Sequence, residues 1–122
     1  MYDIIFYEDK NGYSEVEDLL KVMSKDAMTN KESRVNLNRI VAYIDKLKES
    51  GTRVGAPVTK HLDGEIWELR PLKNRILYAY YKDNTFIILT HFVKKSKKTP
   101  RREIERAIRC LKDYRERNQN DD

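Results

Sequence analysis

The chain reads as an α+β protein: an N-terminal strand and an antiparallel helix pair packed on a small antiparallel sheet, closed by a C-terminal helix. Three observations predict this. Apolar residues recur at helical spacing between residues 16 and 47. Three strand-like runs separated by tight turns fill residues 65–93. A Thr99–Pro100 step then opens a last amphipathic segment. With 122 residues and neither repeats nor a linker, the chain is expected to form one domain, 1–122, with a frayed tail from residue 118.

The elements follow in order. Asp3–Glu8 is rich in isoleucine and aromatics and stops at Asn11–Gly12, which predicts a short strand. Ser14 is placed to cap a helix carrying Val16, Leu19, Leu20 and Met23, with Glu17 at the capping-box position. Thr29 or Asn30 restarts the chain. Leu37, Ile40, Val41, Ile44 and Leu47 then form a second helical stripe that ends at Ser50–Gly51.

Thr52–Lys60, with Gly55 and Pro57, reads as a loop. In Glu65–Arg70 the two-residue period puts Trp67 and Leu69 on one face, with Ile66, Glu68 and Arg70 on the other. Pro71–Asn74 makes a turn, Arg75–Lys82 returns, Asp83–Asn84 makes a tight hairpin, and Phe86–Val93 is an apolar final strand. Thr99 is the expected N-cap of the last helix, with Pro100 at its first position and Ile104, Ala107, Ile108 and Leu111 packing inward.

Charge is unevenly spread. The chain carries a formal +5, yet residues 1–93 balance, while Lys94 to Arg117 holds 11 lysines and arginines against 4 acids. A positive excess confined to one segment is the footprint of a polyanionic partner. Cys110 is the lone cysteine, so no disulfide framework arises, and its place near the helix stripe suits a buried, inert thiol. No apolar run approaches membrane-spanning length and the N-terminus lacks the pattern of a signal peptide, so no membrane partner and a cytoplasmic location are expected.

The chemistry-bearing residues gather near one turn. Arg70 and Arg75 flank Pro71–Asn74, so both guanidiniums can reach one end of the sheet. Arginine keeps its charge and binds phosphate bidentately, which suits a phosphorane-like transition state; the plain alternative is two strand-end arginines paired to Glu65 and Glu68. Lys94, Lys95, Lys97 and Lys98 run towards a helix N-terminus, which is electrostatically poor unless an anion sits there. His61 and His91 are the histidines, of which His61, at a strand edge, suits acid–base work better, and His91 reads as structural. Tyr78, Tyr80 and Tyr81 could stack on unpaired bases or belong to the core; Trp67 is assigned to the core. No metal-ligand spacing, phosphate-binding glycine loop or serine-centred triad occurs, and no cofactor is expected.

The runs WELRPLKNRILYAYY and HFVKKSKKTPRREIERA resemble the RelE/ParE superfamily of bacterial toxins, and most of all its phage-derived HigB branch. That resemblance implies a RelE-like fold and an mRNA interferase, an endoribonuclease that cuts translated message in the ribosomal A site through attack of a ribose 2′-oxygen. It implies catalytic roles for Arg70 and Arg75, and RNA or ribosome contacts for Lys94 and Lys95; the neighbouring cations Lys60, Lys97, Lys98 and Arg101 are expected to extend that contact. It further implies a cognate HigA-like antitoxin with a helix-turn-helix domain, through which operator DNA would be bound. Two departures stand out: Lys97–Arg102 has no aromatic residue, and Glu68 occupies a position where the branch has lysine. The proton acceptor is therefore open among Glu68, His61 and a deprotonated lysine. A gyrase poison of the ParE kind and a non-enzymatic RNA-binding module are the other readings.

Overall fold

A computed structural model describes residues 1–119. The elements are β1 (Asp3–Phe6), α1 (Glu15–Asp26), α2 (Lys31–Ser50), a 3₁₀ turn (Gly51–Val54), β2 (Thr59–Asp63), β3 (Ile66–Leu69), β4 (Asn74–Tyr80), β5 (Thr85–Val93) and α3 (Arg101–Arg117). The α+β class with a RelE-like layout holds. The end of the expected tail, residues 120–122, lies outside the described residues.

Local chemistry accounts for most of these boundaries. The Ser14 side chain accepts from the Glu17 amide at 3.2 Å, and Asn30 does the same for Ser33 at 3.0 Å. Gly51 ends α2 with φ 63°, where a Cβ would stand 2.8 Å from the Tyr2 ring, so both the left-handed backbone and the close approach require glycine. Asp83 and Asn84 both take positive φ (52° and 58°), the geometry of a type I′ hairpin between β4 and β5.

The sheet is mixed and not wholly antiparallel. Its order is β1-β5-β4-β3-β2; strands β2 to β5 form an antiparallel meander, and β1 lies parallel to β5. Part of the expected loop is a strand: β2 begins at Thr59 and pairs with β3 in the register Lys60 to Glu68 and His61 to Trp67. As an edge strand it needs no continuous apolar run, which is why Lys60, His61 and Asp63 disguise it.

Helices cover both faces. Leu69, Ile76, Tyr78, Phe86 and Ile88 pack with Val16, Ile40 and Leu47 beneath the helix pair. Ile66, Leu77, Ala79, Ile87 and Leu89 pack with Ala107 and Leu111 of α3. Central strands β4 and β5 are consequently buried on both sides. Two stripe assignments are corrected: Val41 and Ile108 are exposed, because each lies at the margin of its helix's apolar arc. Leu111→Ala should lower the unfolding free energy by about 2–4 kcal/mol, measured by urea titration, if α3 is an integral layer.

Candidate nucleic-acid interface

At the sheet end where β3 stops and β4 starts, Glu68 and Arg75 emerge on the α3 face. The pairing of Glu68 with Leu77 sets this, since Arg75 lies two residues from Leu77 and shares its side. Both are buried, at 2% and 5% exposure. Arg75 Nε lies 4.0 Å from Glu68 Oε1. Its Nη1 donates to the carbonyls of Leu72 (2.9 Å) and Asn74 (2.8 Å), in the turn that precedes it. Burial depresses the Arg75 pKa, the neighbouring Arg70 charge depresses it further, and Glu68 offsets part of both.

Thr99 is not the N-cap of α3. Pro100 holds that position, and the Thr99 hydroxyl donates instead to the Glu68 carboxylate, 2.9 and 2.8 Å from its two oxygens. A buried carboxylate thus ties β3 to β4 through Arg75 and to the entry of α3 through Thr99. In this position Glu68 acts as an anchor: using it as a proton acceptor would require breaking the Thr99 bond and exposing the group.

Arg70 follows β3 by one residue. Its Nε is buried and has no hydrogen-bond partner among the described residues. Arg75 thus feels the charge of Arg70 as well as that of Glu68, its one ion-pair partner among the described residues, leaving a local positive excess that an anion would neutralise.

The lysines extend this excess outward. Lys60 lies opposite Glu68 on the same side of the sheet, and the Lys94 amide donates to Lys73 O at 2.8 Å, holding the outgoing loop beside the turn. Lys95, Lys97 and Lys98 are exposed, and no ion pair joins this loop to a carboxylate among the described residues.

The cations of α3 behave differently. Arg106 pairs with Glu15 and Glu103, Arg115 with Glu65, and Arg117 with Asp113. Arg101, expected to contact RNA, is held by Asp63 at 2.5 Å and by Glu105, and these partners raise its pKa. The unneutralised charge thus belongs to the loop more than to the helix.

Other expected residues lie elsewhere. His61 pairs with Trp67, so it faces the helix-pair side, packs edge-on against that ring at 5.0 Å and bonds Gly64 O at 2.8 Å. It does not join Glu68 and the arginines. His91 is structural: its Nε2 meets Asn74 Oδ1 at 2.9 Å and its amide donates to Glu15 at 2.9 Å. Tyr78 is core, bonded to Thr59 at 2.6 Å, with its pKa pushed up to about 12 mainly by burial. Tyr80 and Tyr81 lie at the opposite end of β4 from Arg75, where no base bound at the arginines could reach them.

Fold and site together define a RelE-like α+β domain with an unneutralised cationic end. More particularly, residues 27–112 match the phage-derived Gp49-like protein family (DUF891), and the chain belongs to that family, one of RelE/ParE-like toxins. The match spans α2 through most of α3 and includes every residue of the site. No curated protein matches the chain. No helix among the described residues is long and apolar enough to cross a membrane.

Two outcomes test this geometry. Glu68→Ala strands Arg75 beside Arg70 and should cost about 2–4 kcal/mol, with Glu68→Gln costing less because it still accepts from Thr99; chemical denaturation reads both. Burial holds the His91 pKa below its ordinary 6.5. The unfolded chain then binds more protons than the folded one just below that pH. Stability should accordingly fall as pH drops through about 6.5, and His91→Gln should flatten that slope.

Proposed function

We propose that this protein is the toxin of a type II toxin–antitoxin pair, an mRNA interferase like those of the HigB branch. The observation that carries the reading is the pairing of two adjacent arginines, short of one counter-charge, with a lysine loop lacking carboxylate partners. Such a surface fits a bent RNA backbone better than a small metabolite, because phosphates can meet each cation in turn. Membership of a toxin family supports the same reading.

In the proposed reaction a ribose 2′-oxygen attacks the adjacent phosphorus, the bond to the 5′-oxygen breaks, and a 2′,3′-cyclic phosphate remains. Arg75 and Arg70 neutralise the charge that develops on the non-bridging oxygens. Lys60, Lys94, Lys95, Lys97 and Lys98 hold the flanking message or ribosomal RNA. With Glu68 engaged as an anchor and His61 on the other face, the rate rests on positioning and electrostatics, with a lysine of the rim as the remaining side-chain candidate to take the proton. The ribosomal A site would supply the bent substrate geometry, which sets the protein's place in the cytoplasm. A HigA-like helix-turn-helix antitoxin would neutralise it and carry the complex to operator DNA.

Primer extension on a reporter message, after brief induction of the protein, tests this. Wild type should produce new cuts that vanish when translation is blocked, and Arg75→Ala should lower cutting by about 100-fold or more. Cuts that survive the block would indicate a free-standing ribonuclease. Toxicity without cuts would overturn the interferase and favour gyrase. In RNA binding, Lys95→Ala or Lys97→Ala should reduce the salt slope by about 1 each.

A further inference from the structure

We infer that Asn74 is a positioning residue for Arg75, acting from the opposite face of the sheet; this rests on reading Arg75 as the cation that meets the scissile phosphate. Asn74 opens β4 and is 4% exposed. Its carboxamide is used by three separate elements. Nδ2 donates to Asn36 Oδ1 of α2 at 2.8 Å and to Pro71 O at 3.3 Å, while Oδ1 accepts from His91 Nε2 of β5 at 2.9 Å.

The orientation of that amide is chemically determined. Reversing it would set the Asn74 oxygen against the oxygens of Asn36 and Pro71, which cannot donate. His91 must therefore carry its proton on Nε2, and the network has one consistent arrangement.

Its consequence is felt on the other side. The Asn74 side chain points with Ile76 and His91 towards the helix pair, whereas Arg75 points towards α3. The link between them is the turn. Leu72 takes φ 59°, a region leucine enters only at a cost, so the turn needs an external hold. Asn74 closes the turn through Nδ2 and its own amide, which donates to Pro71 O at 3.0 Å, and ties it to α2 and β5 through Asn36 and His91. The carbonyls presented by the held turn, Leu72 O and Asn74 O, are the two that accept from Arg75 Nη1. The guanidinium is thus oriented before any substrate arrives, which spares the reaction the entropy of ordering it.

Asn74→Ala should keep the fold, by circular dichroism and thermal melting, while loosening the Arg75 side chain. In the free protein, the ¹⁵N relaxation of the Arg75 Nε–H group should report a rigid guanidinium in wild type and a mobile one in Asn74→Ala. For cleavage, kcat should fall by about 10- to 100-fold with KM within about twofold. In an Arg75→Lys background, where no clamped guanidinium exists, the same substitution should change cleavage by less than about twofold. Should Asn74→Ala fail to fold, Asn36→Ala removes one bond of the network and should give a smaller effect of the same kind. Equal Arg75 rigidity in wild type and variant, or full additivity with Arg75→Lys, would overturn the inference. Wild-type protein that cuts no message would defeat the interferase reading alone, because the relaxation measurement still decides whether Asn74 orients Arg75.

Discussion

The contact between Glu68 and Arg75 is the constraint around which this end of the molecule is built. Removing two charges from water costs several kcal/mol per ion, and one ion pair at 4.0 Å does not by itself repay that. Additional bonds make the arrangement tenable: Thr99 donates to the carboxylate, and two turn carbonyls accept from the guanidinium. Each of those bonds also fixes a neighbouring segment, so β3, the 71–74 turn, β4 and the α3 entry share one geometry. An apolar pair would fill the same space at lower cost, but it would not hold a cation at the surface of a site.

From this centre the distribution of charge follows. Arg106 and Arg115 of α3 are drawn into ion pairs with Glu15 and Glu65, which dock the helix across the sheet, while Arg117 pairs with Asp113 within the helix. The lysines of the preceding loop have no such partners among the described residues, and their ammonium groups remain available to a ligand. Much of the positive charge of α3 is thereby paired, with Arg102 and Arg109 outside any ion pair among the described residues, while the loop retains its charge. Arginine suits the first task because its planar fork matches a carboxylate, and lysine suits the second as a flexible point charge.

Much of this was legible in the sequence, for physical reasons that differ by element. Caps at Ser14 and Asn30, and the Asp83–Asn84 hairpin, depend on residues within four positions of one another. The alternation that separates Trp67 and Leu69 from Ile66 and Glu68 is a backbone property, and it put Glu68 on the face where it is found. Arg70 and Arg75 could be placed together because a single turn joins them. Long-range pairings left no such mark: the parallel contact of β1 with β5, the polar edge strand β2, and the His61 side chain facing away from the arginines. Thr99 carries the sequence signature of a cap, yet a buried carboxylate on another strand claims its hydroxyl. Asn74 looked like a turn residue, and its bonds reach back 38 residues to Asn36 and forward 17 to His91.

The proposed RNA contact sets a sugar–phosphate backbone against the cationic end of the sheet, held by Glu68 and Arg75. It is tested most directly by titrating the ¹⁵N-labelled protein with a short RNA that carries 2′-O-methyl groups and cannot be cut. Chemical-shift changes should centre on Arg70, Arg75, Lys60 and the Lys94–Lys98 loop and weaken as salt is raised. Changes centred on the outer face of α1 and α2, or none at low salt, would contradict it.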